Sequence, residues 1–288
     1  MTHRRQVVLC AALLWVVVCE RSLSQATDPA DSVTFNREIA PIVFQNCVVC
    51  HHPGGAGPFP LLTYQDVKTH ARQIAFVTRT RFMPPWLPAP GDFKFLDERG
   101  LTTEQIALIQ KWVEQGALQG NAADLPPAPS YTEGWPLGPP DLILKATKPY
   151  LLPASGSDRY WNFVLPVPIT KTRWLKAVDI HPGQKRLVHH ANMLVDRNGS
   201  ARHMEKELGA GFAGMELSIE SETFDPDSHF LFWKPGSMPY AEREGMALRL
   251  DPGTDLVLNV HMQTSGKEEQ IEPSVGLYFT DAPATRSL

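Results

Sequence analysis

The sequence predicts a multidomain protein in which a small all-α domain is followed by an all-β sandwich domain. Three observations carry that expectation. Apolar residues recur at helical spacing up to about Gln119, they alternate in strand fashion after Asp141, and six prolines lie between the two patterns at 126, 127, 129, 136, 139 and 140. A stretch with that proline content is a semi-rigid extended connector. The boundaries that follow are a helical domain over 33–120, a linker over 121–140 and a β domain over 141–288.

Before these elements, residues 1–26 read as an export signal. Arg4 and Arg5 supply the positive start, Val7 to Cys19 the apolar run, and Ser24-Gln25-Ala26 a small-residue cleavage site. The run is too short to span a bilayer. The mature chain is therefore expected in the periplasm or outside the cell, without a transmembrane segment. Lipid anchoring at Cys19 is disfavoured because Val18 is bulkier than the small residue such a site calls for.

The formal charge of −4, spread without a dense basic patch, gives no reason to expect nucleic acid as a partner. Of the four cysteines, Cys10 and Cys19 leave with the signal. Cys47 and Cys50 remain, too few for a disulfide framework in an exported chain.

In the helical part, Phe35, Ile39, Ile42 and Val43 form an apolar stripe that ends just before Cys47-Val48-Val49-Cys50-His51. Two thiols and an adjacent histidine at this spacing are a c-type haem attachment signature: the thiols bond the haem and the histidine binds its iron. A zinc site would want a second ligand pair, and a thioredoxin-like pair a βαβ frame; neither pattern is present. The segment is expected to fold as a small cytochrome c domain.

The glycine- and proline-rich run His52 to Pro60 follows as a loop, with backbone close to the porphyrin and His52 exposed. The sixth iron ligand is Met83 or His70. Met83, in Arg81-Phe82-Met83-Pro84-Pro85-Trp86, is favoured because the prolines hold it on extended backbone, whereas His70 falls inside a helix predicted over 64–78. Methionine is also an ordinary core filler. Trp86 is expected to cover a haem edge. A last helix over 101–119 opens on a Thr102/Gln105 capping box and buries Ile106, Ile109, Trp112 and Val113.

In the β part, strands are predicted over 141–144, 160–165, 174–180, 188–195, 230–233, 246–250, 255–261 and 275–279, separated by turns such as His181-Pro182-Gly183, Asn198-Gly199 and Asp251-Pro252-Gly253. Eight short strands without a long helix suggest a sandwich of jelly-roll type. Asn198-Gly199-Ser200 matches a glycosylation acceptor but is read as a hairpin turn.

His189 and His190 stand in an apolar strand, and His261 ends another. Regular strand geometry points neighbours to opposite faces, so joint use of His189 and His190 requires a bulge or a strand end. Three imidazoles without thiolate or carboxylate suit copper and catalytic zinc alike. His229 is placed at the surface or behind a ligand, and neither Met238 nor Met262 is assigned as a ligand.

Taken in order, Leu187 to Val195, Phe232-Trp233-Lys234-Pro235-Gly236, Gly245 to Leu250 and Leu256 to His261 resemble the N-terminal half of the copper type II, ascorbate-dependent monooxygenases, among them peptidylglycine α-hydroxylating monooxygenase and dopamine β-monooxygenase. The attached haem motif and Met83-Pro84-Pro85-Trp86 resemble bacterial cytochrome–monooxygenase fusions. The resemblance implies that His189, His190 and His261 bind an electron-transferring copper. The further implications are an electron donor (a small reductant or a redox protein), a small-molecule substrate and C–H hydroxylation at a second copper.

Two features depart from the family. The β part has no cysteines, and the sequence has no His-X-His pair for the oxygen-activating copper. The expectation is therefore a C-terminally truncated enzyme, or alternatively an electron-transfer or copper-binding protein without oxygenase activity. No catalytic residue is assigned.

Overall fold

The computed structural model describes residues 32–89, 91, 93, 95, 98–131, 134–215 and 229–286, with backbone alone at 229 and 230. The export signal over 1–26 lies outside the described residues. No helix among the described residues is long and apolar enough to cross a membrane.

The chain starts with a π-helical turn, Phe35–Ile39, running into α1 (Ala40–Asn46), with Pro41 in its first turn where a missing N–H costs nothing. The helix predicted over 64–78 is divided. α2 (Tyr64–Thr69) opens on a Thr63/Asp66 capping box, and His70, at φ −103° and ψ 10°, breaks the helix before α3 (Ala71–Arg79). α4 (Thr103–Glu114) begins on the Thr102/Gln105 box and ends where Gly116 and Ala117 turn to positive φ. Phe35, Ile39, Val43, Val48, Ile109 and Trp112 meet in one apolar cluster.

Among the described residues eleven strands follow: β1 (Leu142–Lys145), β2 (Tyr150–Leu152), β3 (Arg159–Pro166), β4 (Arg173–His181), β5 (Val188–Asp196), β6 (Phe212–Ala213), β7 (His229–Trp233), β8 (Leu248–Leu250), β9 (Asp255–Met262), β10 (Glu269–Ile271) and β11 (Ser274–Thr280). They pair antiparallel in the orders β1-β11-β4-β8, β6-β3-β9-β5-β7 and β10-β2. β2, β6 and β10 have no counterpart among the predicted strands; at two or three residues each they are too short to show an alternation.

β9 is the axis of the five-stranded sheet and is buried along its whole length. Its alternation is strict. Leu256, Leu258, Val260 and Met262 join the main core with Leu175, Val178, Val275 and Leu277 of the four-stranded sheet, while Asp255, Val257, Asn259 and His261 face the other way. The polar members of that second face have partners: Asn259 donates to Asn162 Oδ1 at 2.7 Å, and Asp255 accepts from Arg202. Hydrogen bonding is what permits a polar face inside a buried strand.

The fold class departs from expectation. Strand outweighs helix, at about 25% against 20% of the structure, so the protein is β-rich rather than a small all-α cytochrome c domain followed by a jelly-roll-like sandwich. Physically, the helices are short, at 7, 6, 9 and 12 residues, with His70 ending α2 and Gly116 following α4, and from Val33 onward the chain is one compact unit.

Candidate metal centres

The antiparallel pairing of β9 with both β3 and β5 places the start of those two strands beside the end of β9. His261 is accordingly in register with Tyr160 on one side and with His190 on the other. Regular alternation would turn His189 toward the core with Ala191, Met193 and Val195. A register shift between Val188 and His190 removes that constraint, so a bulge aims both imidazoles to one side.

One ring nitrogen from each of His189, His190 and His261 lies within 4.8 Å of the other two. The rings are 4.9 to 5.2 Å apart, centroid to centroid, and run from exposed His189 through half-buried His190 to His261, which is 7% exposed.

The hydrogen bonds assign protons at this cluster. His261 Nε2 is 2.8 Å from Asp158 Oδ2, and a carboxylate only accepts, so the His261 proton is on Nε2. Its Nδ1 lone pair is buried and has no partner. Nδ1 of His189 and Nδ1 of His190 are 3.0 Å apart, a separation that two lone pairs tolerate only with a proton or a cation between them. Burial, with repulsion from His261 and His189, pushes His190 below the ordinary imidazole range, and the hydrogen bond from His261 holds Asp158 below the usual carboxylate range. Neutral imidazoles with free lone pairs are what a metal requires of histidine. Tyr160 stacks on His261 at 4.2 Å and 9°, fixing the plane of the ring.

The thiol pair is built differently. Cys47 caps α1, and the N–H groups of Cys50 and His51 both donate to the Cys47 carbonyl, which folds the five-residue motif into one turn. Burial pushes the Cys47 thiol up to about 12 and raises Cys50 as well, so both are held as thiols. Thiols of raised pKa are poor nucleophiles at neutral pH, which argues against a reactive dithiol.

His51 Nδ1 is 3.0 Å from the Phe59 carbonyl and must donate to it, which leaves Nε2 with the free lone pair. A side chain at Gly57 would strike the His51 ring at 2.7 Å, so the loop glycine makes room for the histidine itself. These groups suit covalent haem: two protonated thiols for addition and an oriented imidazole nitrogen for iron.

Met83 is half-buried after α3, with its N–H on the Val77 carbonyl. The rings arrayed around His51 are Phe59 at 5.1 Å and, stacked on it at 3.7 Å, His70. Met83 is not among those contacts. Trp86 packs on Gly100 and edge-on to Phe95.

The remaining histidines stand apart. His52 stacks on Tyr131, His181 stacks on Trp135 and bonds Asp179, and His203 is exposed. The His229 side chain lies outside the described residues. Met262 is fully buried in the core and Met238 is 46% exposed, so neither is drawn to the cluster.

Asp158 and Tyr160 were not predicted site residues. Their only signal in sequence is their place at the start of the strand preceding the histidines, which no local pattern ties to His261. A second unpredicted contact joins the two groups. Phe232 of β7 is 5.4 Å from His190, and the turn that follows β7 brings Gly236, at φ +83°, so near the thiols that a Cβ there would lie 2.8 Å from Cys50 Sγ. The segment from Phe232 to Gly236 therefore touches both. In comparisons with known proteins, no family model matches the chain and no curated protein matches it.

Proposed function

We propose that this chain is an exported redox protein in which covalent haem c at Cys47, Cys50 and His51 supplies electrons to a mononuclear copper held by His189, His190 and His261. One observation carries the copper half: His261 keeps a buried Nδ1 without a partner in a cluster where three imidazoles converge within 4.8 Å. An unpaired buried acceptor costs about 1–3 kcal/mol, a cost that metal coordination removes.

Three imidazoles suit zinc as well, but zinc has no redox chemistry. A c-type haem signature whose Cys50 abuts the turn after β7, itself in contact with His190, favours a metal that accepts electrons. Bound copper would supply a one-electron acceptor; the chain's own residues orient the imidazoles and set the approach of the haem motif. Met83 is retained as the sixth haem ligand with His70 as its competitor, and the donor to the haem is a small reductant or a redox protein.

The resemblance to copper monooxygenases makes C–H hydroxylation of a small molecule the wider activity to which these electrons go. A second reading is electron transfer or copper binding without oxygenation.

Expression with haem-attachment machinery, followed by copper titration, tests the proposal. One haem iron and one copper per chain are expected, with His261→Ala losing copper and keeping the haem spectrum. Unchanged copper stoichiometry in that variant would show the ligand assignment to be wrong.

A further inference from the structure

We infer that Asp158 is a positioning residue of the copper site: by accepting the Nε2 proton of His261 it holds that ring in the one tautomer that leaves its unpartnered Nδ1 free to bind a metal. The inference rests on the proposed copper reading and adds a residue to it.

Asp158 immediately precedes β3, whose Tyr160 is in register with His261, so backbone pairing itself delivers the carboxylate to the ring edge. The 2.8 Å contact engages Nε2, on the side of the imidazole away from the unpartnered Nδ1. Tyr160, two residues along, stacks on the ring face at 4.2 Å. Edge and face are thus fixed from one strand. Among the described residues, His261 is the one of the three histidines that is both buried and bonded to a carboxylate. His189 and His190 reach the cluster from the bulge and bond to each other, and each could present either ring nitrogen by a rotation. His261 cannot rotate without giving up Asp158.

A carboxylate behind an imidazole does two things to a bound metal. It orients the ligand, and it increases the electron density on the coordinating nitrogen, which stabilises the more highly charged metal state. Loss of the charge should therefore weaken Cu(II) more than Cu(I) and raise the reduction potential of the copper. A merely structural Asp158 would leave that potential unmoved.

The test compares Asp158→Asn, which keeps the shape and an acceptor oxygen, with Asp158→Ala, which removes both, on the haem-loaded full chain with copper alone as the probe. Loss of such an outer partner commonly weakens metal binding by about 10–100-fold. Cu(II) affinity should fall by about 10-fold in the Asn variant and toward about 100-fold in the Ala variant. The copper potential should rise in both, and the Cu(II) paramagnetic resonance spectrum should change. Wild-type affinity, potential and spectrum in both variants, with copper lost in His261→Ala, would overturn the role of Asp158 and leave the site standing. Wild-type copper binding in His261→Ala as well would remove the site and the inference together.

Discussion

Cys47, Cys50 and His51 are neighbours on one turn of chain, whereas His189, His190 and His261 are delivered by two strands that meet only in the folded sheet. The first group keeps its sulfurs protonated by burial and needs little from the rest of the fold beyond the Phe59 carbonyl that orients His51. The second depends on a bulge, on the register of three strands and on Asp158. Covalent attachment tolerates a simple scaffold because the bond itself supplies position. Coordination by neutral side chains requires the fold to place every lone pair. The two should therefore fail independently, and for different reasons.

The largest effect expected is all-or-none. Replacing Cys47 and Cys50 together by serine should abolish covalent haem, read by haem staining of the denatured chain, while copper stoichiometry stays at one. Loss of copper in the same variant would mean that the histidine cluster needs the haem to form.

Met83→Ala sharpens the comparison within the haem group. The methionine-to-iron absorption band should disappear. Its persistence would exclude Met83, and His70, stacked on Phe59 beside His51, would be the next ligand to substitute.

Stability should also divide by region. Asp255 is fully buried at the start of β9 and bonded by Arg202 through both nitrogens of the guanidinium fork. Arg202→Ala leaves that carboxylate buried without its counter-charge and should cost about 3 kcal/mol, measured by denaturant unfolding.

The smallest effect lies in the first helical turn. Burial raises the Glu38 carboxyl, but the Thr34 N–H at 2.8 Å and the Arg37 guanidinium outweigh it and leave its pKa below the usual carboxylate value. A depressed pKa in the folded state stabilises above the unfolded pKa, and that stabilisation is lost as pH falls through the folded value. Glu38→Gln should therefore destabilise by about 1 kcal/mol at neutral pH and by progressively less in acid. A difference that grows on acidification would contradict the assignment.

How much of this was legible in the sequence follows from the same contrast. The strands carrying His190 and His261 could be read because alternation is a local signal. The need for a bulge at His189 also followed from strand geometry. Asp158 and Tyr160 were out of reach, since their partner lies on another strand and only register connects them. The contact of Gly236 with Cys50 was hidden for the same reason. The all-α expectation failed because helical spacing says nothing about how soon each helix stops; His70 divides one that periodicity makes continuous.

The central claim is that electrons from the haem motif reach the histidine cluster within one chain. The direct measurement is anaerobic stopped-flow on the haem- and copper-loaded protein, with the haem pre-reduced and Cu(II) then added. One equivalent of haem should be oxidised per equivalent of copper bound, with a first-order limiting rate that does not depend on protein concentration and is absent in His261→Ala. Haem that stays reduced, or a rate that scales with protein concentration, would contradict the account.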